Sequence, residues 1–253
     1  MMGYRSTVAV LLVVFATQSA RGMSCTFPPE LWCSSSEIAE SCHVVKQCSE
    51  WQSPVKDAPK VNFTLYYESY CPDCQLFISG QLHDAYMAVS EIMNLTMVPY
   101  GNAEEKREGS KYVFQCQHGQ EECRGNVLET CILHFAPFQT AFQTIYCMEV
   151  SRDPVTYARE CMEKMKVNPE QVFACANGSL GNALEHQMAL KTDALKPPHQ
   201  YVPWVTLNGV HTEKIQNEAE MNLKKLICDT YQGAKKPPAC SQDKPKLRSR
   251  MRE

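Results

Sequence analysis

The sequence predicts an α/β domain with an inserted helical module, preceded by a small disulfide-rich segment. Three observations point to it. Residues 61–68 alternate with period two and run into the dithiol Cys71-Pro72-Asp73-Cys74, a helical period follows that dithiol, and "YVPWVTLNGV" near the end reads again as strand and turn.

The chain has 253 residues, enough for one or two domains with a real core. It opens with "MMGYRSTVAVLLVVFATQSARG", in which Arg5 precedes an apolar run from Thr7 to Phe15 too short to span a bilayer, and small residues follow. Residues 1–22 therefore read as a signal peptide. No second long apolar run exists, so we expect an exported chain without a membrane span. The net charge of −3, with only a mildly basic C-terminal tail, gives no footing for nucleic acid. Fourteen cysteines fit an oxidising compartment, and sequons at Asn62, Asn94 and Asn177 agree with export and glycosylation.

Residues 23–56 crowd Cys25, Cys33, Cys42 and Cys48 together, as a disulfide knot would, before the proline-containing linker "SPVKDAPK". The main domain is expected over 57–232, with a tail at 233–253. Its first strand carries Val61, Phe63, Leu65 and Tyr67 on one face and Asn62, Thr64, Tyr66 and Glu68 on the other. The next helix carries Leu76 or Phe77, Ile78, Leu82, Ala85, Tyr86, Val89 and Met93, with Pro72 in its first turn. Cys71 thus sits at a helix N-terminus. "NLTMVPYGNA" supplies a second strand, and the region from about residue 104 to 196 reads as a helical insertion, with starts at Asp153-Pro154 and Asn168-Pro169. Asn208-Gly209 predicts a hairpin turn, and a last helix points Ile215, Ala219, Leu223 and Leu226 at the core.

Cys71 and Cys74 admit three readings. A structural disulfide would close so short a loop that it removes little denatured-state entropy. A zinc site would need Cys116, His118 and Cys123 as its other half, without an ordinary finger spacing. A redox dithiol fits the position, because free N–H groups at a helix N-terminus favour the Cys71 thiolate by about 0.3–2 kcal/mol. An exposed Asp73 opposes it by roughly 0.7 kcal/mol at about 6 Å. Cys71 is then the nucleophile and Cys74 the resolving thiol. Val202-Pro203, before "WVTLNG", is placed to be the cis-proline loop that thioredoxin-like folds set against such a pair to hold an extended substrate.

The stretch "CQHGQEECRGNVLETC" holds Cys116, Gln117, His118, Gly119, Glu122, Cys123, Asn126 and Cys131. It closely resembles the signature of the gamma-interferon-inducible lysosomal thiol reductase family. The resemblance continues through "LYYESYCPDC", "MVPYGNA", "TDALKPPHQYVPWVTLNG" and "YQGAKKPPAC". It implies a thioredoxin-like fold, catalytic Cys71 and Cys74, a substrate-binding loop at Val202 and Pro203, and structural signature cysteines; we read His118 as a local hydrogen-bonding residue. The N-terminal cysteines, with Trp32-Cys33 and Pro28-Pro29, resemble a saposin A-type segment. The resemblance further implies reduction of protein disulfides at acidic pH in lysosomes, ahead of class II antigen presentation, and trimming of both chain ends. It also implies an external thiol reductant with no bound cofactor or metal, and sorting by mannose-6-phosphate receptors through N-glycans. A secretory-pathway oxidase or isomerase stays open as an alternative, as does a non-catalytic binding glycoprotein.

Acid sets a chemical demand. At about pH 5 an ordinary thiol is only roughly 0.03% ionised. We expect the helix terminus and a hydrogen bond from the Cys74 thiol to bring Cys71 down. If trimming near Gly233 removes Cys240, the domain keeps an odd number of cysteines, with Cys228 the candidate for a disulfide between two subunits.

Overall fold

The structure is a computed structural model that describes residues 25, 32–33, 35–52 and 58–241. The signal peptide, most of the linker and the tail beyond Ser241 lie outside the described residues. Two compact units divide the chain near residue 53.

In the N-terminal unit, α1 (Ser36–Ser41) and α2 (Val45–Gln52) are tied by Cys25–Cys42 and Cys33–Cys48. Ser35 caps α1 by accepting the Ile38 N–H. So short a pair of helices buries little of itself, and the two disulfides take the place of a core.

The second unit is built on a sheet of order β2-β1-β5, from β1 (Val61–Tyr67), β2 (Met93–Pro99) and β5 (Trp204–Leu207). β2 runs parallel to β1, which requires the crossover through α3 (Pro72–Phe77), a π-helical turn (Ile78–Leu82) and α4 (His83–Val89). β5 returns antiparallel on the other side of β1. Phe63, Leu65 and Tyr67 are fully buried on the expected face of β1. The crossover helix ends at its C-cap Ser90, so Met93 opens β2 and is not the last core residue of that helix. Leu76 is exposed, and Phe77 is the one that packs inward.

The insertion differs from the expected all-helical module. It opens with a hairpin of β3 (Glu104–Glu108) and β4 (Lys111–Gln115), joined through Gly109 at φ +61°. Both strands are largely exposed, so no apolar alternation marks them, and Phe114 anchors the hairpin on Tyr100. The helices α5 (Gln120–Phe135), α6 (Phe138–Val150), α7 (Pro154–Lys164), α8 (Pro169–Ala176) and α9 (Ser179–Asp193) follow. Asp153 and Asn168 cap α7 and α8 ahead of first-turn prolines, as expected. Cys131–Cys175 staples α5 to α8, and Cys147–Cys161 staples α6 to α7.

After β5, Asn208 and Gly209 turn the chain at positive φ, but the expected hairpin shrinks to a single Leu207–Val210 bridge before α10 (Glu213–Thr230). α10 breaks at Asn222, where the Gln81 side chain takes the Leu223 N–H freed by the break. The Cys228 thiol is not left over. It bonds to Cys240, which a short 3₁₀ turn (Pro238–Ser241) carries back to the last turns of α10. With the tail in place Cys228 therefore has a partner within the chain, and the odd count applies only where trimming removes Cys240.

Candidate active site

The site begins with a strand that ends too early for its last acid to reach water. Glu68 follows β1, and alternation places it with the polar residues, yet its side chain is fully buried. Room for it comes from Gly101 at φ +60°, where an added Cβ would fall 2.4 Å from Glu68 Cγ. Glu68 Oε1 accepts the Asn102 N–H at 2.6 Å, and its carbonyl accepts the Cys71 N–H at 3.3 Å.

Ser69 and Tyr70 are then pinned from three helices. Asn126 Oδ1 takes the Ser69 N–H at 2.9 Å, the Glu122 carbonyl takes its hydroxyl at 3.2 Å, and Gln75 Nε2 donates to its carbonyl at 2.9 Å. The Tyr70 hydroxyl donates to Asp153 at the start of α7. Gly125 permits this approach, since a Cβ there would meet Ser69 Oγ at 2.3 Å. The family-like motif is therefore a clamp: Cys116–Cys123 closes its loop, Gln117 takes a hydrogen bond from Asn102, and Glu122 and Asn126 grip the turn ahead of the dithiol.

Cys71 is the N-cap of α3, and its sulfur accepts the Cys74 N–H at 3.4 Å. Its thiol also faces the Val202 carbonyl at 3.9 Å. The Val202–Pro203 bond is cis, as the sequence predicts, and Lys196–Pro197 is a second cis bond. Gln216 of α10 braces that loop by donating to the Pro203 carbonyl at 2.9 Å and accepting the Val205 N–H at 3.1 Å. A groove of about 570 Å³ runs beside the pair, walled by Leu76, Phe77, Tyr201, Val202 and Pro203 and flanked by Asp73 and Glu220.

The two sulfurs differ sharply. Cys74 is fully buried, and that burial pushes its thiol well above the ordinary range. Cys71, 6% exposed, is held down at about 7, first by the hydrogen bond from the Cys74 thiol and then, against the cost of burial, by the backbone N–H groups of Cys74 and Asp73. The Asp73 charge acts in the opposite direction and is the smallest of these effects. The expected causes are present, although the thiol stops near 7.

The remaining twelve cysteines are paired in six disulfides, and Cys71 and Cys74 alone are free. Cys116 bonds Cys123, which removes the other half of the zinc reading. His118 pairs with Glu122, N–H to Oε1 at 2.9 Å and Nδ1 to Oε2 at 2.5 Å, and it also lies 3.5 Å from Glu68 Oε2. Donor atoms of the three lie within 4.8 Å of one another, but zinc ligands about 2 Å from an ion stand roughly 3.3 Å apart. The imidazole and the Glu122 carboxyl are within direct hydrogen-bonding distance, so we read this cluster as hydrogen-bonded and not as a metal centre.

The comparisons with known proteins bear on this geometry directly. The profile for gamma interferon inducible lysosomal thiol reductase matches residues 62–165, and that for the saposin A-type domain matches residues 22–51. The protein named gamma-interferon-inducible lysosomal thiol reductase from Carassius auratus is 44% identical, covering 96% of this chain and 95% of its own. The chain belongs to the gamma-interferon-inducible lysosomal thiol reductase family.

The Mus musculus protein of the same name is 37% identical over 92% of each chain, and the Arabidopsis thaliana gamma-interferon-responsive lysosomal thiol protein is 39% identical over 69% of this chain and 72% of its own. As a member of this thiol reductase family, the protein is a thiol-disulfide oxidoreductase acting on disulfide-containing substrates. Among solved structures, DsbA from Chlamydia trachomatis aligns with a TM-score of 0.47 at 13% identity, over 69% of this chain and 91% of that one. The thioredoxin-like assignment rests on this chain's own strand order, dithiol and cis proline.

The three sequon asparagines are exposed, and Asn62 and Asn94 are cross-strand partners joined by a 2.8 Å hydrogen bond. Sequence reasoning missed Glu68 as a buried group, Gln216 as the brace of the proline loop, and a pair of acids in the core. Glu129 and Glu149 face each other beneath the site, with the Tyr67 hydroxyl donating to Glu129 at 2.5 Å. In sequence an acid at a core-facing helical position looks like one at the surface, so no local signal sets Glu129 and Glu149 apart.

Proposed function

We propose that this oxidoreductase is a lysosomal reductase of protein disulfides, with Cys71 as the attacking thiol and Cys74 as the resolving one. One observation carries the reading: the only free thiols among the described residues sit together at a helix N-terminus, opposite a cis-proline loop.

The Cys71 thiolate attacks one sulfur of a substrate disulfide, forming a mixed disulfide and releasing the other substrate sulfur, which takes a proton from water. Cys74 then gives up its proton, and its sulfur attacks Cys71, breaking the mixed bond. The substrate gains two electrons and two protons, and Cys71–Cys74 is left as a disulfide. An external thiol returns it to the dithiol, with no bound cofactor. Val202 and Pro203 hold the substrate segment in extended form across the groove.

The state of the Cys71 thiol supports the reducing direction. Strongly oxidising dithiols stabilise their reduced form with a thiolate near pKa 3.5, whereas reducing ones sit near 7, where Cys71 lies. Relatives named as lysosomal and four buried carboxyls that favour the fold in acid, at Glu68, Glu129, Glu149 and Glu185, support the compartment. In that setting the enzyme reduces disulfides of endocytosed proteins ahead of class II antigen presentation, after sorting through its N-glycans, with the saposin A-type segment and the C-terminal end as precursor regions.

The test is reduction of a denatured disulfide protein with dithiol supplied, at about pH 5 and about pH 7, beside Cys71→Ser and Cys74→Ser. Activity at pH 5 that vanishes in Cys71→Ser, with a trapped mixed disulfide in Cys74→Ser, is the expected result. Activity confined to neutral pH would turn the reading toward an oxidase or isomerase, and none at either pH toward a binding protein.

A further inference from the structure

Cys71 on its own does not meet the demand of acid. With its thiol at about 7, about 1% is thiolate at pH 5. The charges beside it, however, also change with pH.

Glu68 is fully buried, three residues before Cys71, and gives its carbonyl to the Cys71 N–H. Its Oε1 is satisfied by Asn102, but its Oε2 has no hydrogen-bond partner and lies 3.5 Å from His118 Nδ1. The same ring nitrogen is bonded to Glu122 Oε2, so one imidazole stands between two buried carboxyls. The His118 side chain is 36% exposed, which gives the cluster a route to protons in solvent.

We propose that Glu68, His118 and Glu122 form a proton-switched charge cluster that favours the Cys71 thiolate in acid and opposes it at neutral pH. The proposal rests on the reading of Cys71 as the attacking thiol in an acidic compartment.

Burial first, and then the Glu122 charge, push Glu68 up to about 7, against the pull of the Asn102 N–H. Burial works against charging His118, but the Glu122 hydrogen bond and charge, with Glu68 behind them, outweigh it and raise its pKa. In acid Glu68 is neutral, and its neighbours hold the proton on His118. As pH rises through about 7 Glu68 ionises, so the cluster gains a negative charge. The other groups facing Cys71 are Asp73, Cys74 and the buried Glu149, with Arg152 facing Glu149. Asp73 is exposed, so solvent screens its charge, and burial pushes the Cys74 thiol well above its ordinary range. Glu149 is also raised by burial and faces Cys71, so Cys71 alkylation measured on Glu149→Gln separates its contribution from that of the cluster. These two carboxyls and the imidazole act through Cys71 as positioning residues; none touches the reacting sulfur in this structure.

The experiment measures the rate of Cys71 alkylation by iodoacetamide from about pH 4.5 to 8 on the reduced full chain, with mass spectrometry assigning the site. Glu68→Gln keeps an acceptor for Asn102 and fixes the neutral state. Its rate relative to wild type is expected to rise about 3- to 10-fold between pH 5 and pH 7.5. His118→Gln removes the cation beside Glu68, and its relative rate is expected to be about 3- to 10-fold low at pH 5. A Glu68→Gln relative rate that is the same at both pH values, or a His118→Gln rate at pH 5 equal to wild type, overturns the switch, because a merely structural effect has no reason to follow pH. Alkylation reports thiol ionisation and not disulfide reduction. An enzyme that shows the switch yet reduces nothing at pH 5 therefore overturns the functional reading instead.

Discussion

Asn126 Oδ1 accepts the backbone N–H of Ser69 at 2.9 Å, so a side chain of the inserted helix α5 holds the turn that delivers Cys71. Both residues are fully buried, so this hydrogen bond is shielded from solvent. The helical insertion is thereby part of the site's construction.

Asn126→Ala leaves the Ser69 N–H buried without a partner, which costs about 1–3 kcal/mol. In a domain of this size the midpoint of thermal unfolding is expected to fall by roughly 2–4 °C per kcal/mol. A calorimetric scan checks it, and an unchanged midpoint would show that the turn stands without α5.

The Cys71 thiol is held near 7 chiefly by the Cys74 thiol. Cys74→Ala removes that donor while keeping the backbone N–H groups of α3. The Cys71 titration, followed by thiolate absorbance, is expected to move up by about one unit or more. A midpoint that stays near 7 would assign the stabilisation to the helix terminus instead.

Cys240 is tied to Cys228 across residues 229–239, and the Lys236 ammonium donates to the Cys228 carbonyl. A proteolytic nick at Lys235 or Lys236 therefore leaves the C-terminal piece attached. Electrophoresis of nicked protein is expected to show the small fragment only after reduction. Its release under non-reducing conditions would mean that the bond does not form.

The parts of this molecule that were legible in sequence are those in which a local rule and the fold agree. β1 alternates because one face is core, Asp153 and Asn168 announce their helices by capping, and the dithiol with Val202-Pro203 marks the site. The β3–β4 hairpin was not legible, because its strands bury almost nothing and so carry no period. Glu68 was misplaced for a related reason. Alternation predicts a face only while the strand lasts, and Glu68 lies one residue beyond β1, where Gly101 and the α5 clamp enclose it. The partner of Cys228 was not legible because the tail appeared dispensable, and only the return through the 3₁₀ turn shows it.

The core acids make the fold itself a sensor of pH. Glu129 and Glu149 are fully enclosed, and Glu129 Oε1 and both Glu149 oxygens lack an aligned hydrogen-bond partner, although the carboxyls lie close enough to interact. Two carboxylates cannot bond to each other without a proton, so a proton between them satisfies the pair. Burial first, and for Glu149 the neighbouring Glu129 charge next, raise both above the ordinary carboxylate range. An acid whose pKa is higher folded than unfolded keeps its full contribution below the unfolded value near 4.3 and loses it as pH rises toward the folded value. Stability is therefore expected to fall from about pH 4.5 through about 7, with Glu185, raised by burial, adding to the slope. Glu149→Gln removes one of these titrations and supplies an amide that donates to Glu129. The variant is expected to be more stable than wild type at pH 7.5, by about 1–3 kcal/mol, and to lose less stability between pH 5 and 7.5. Urea unfolding at the two pH values decides it, because parallel losses in variant and wild type would mean that the pair is not what the fold titrates.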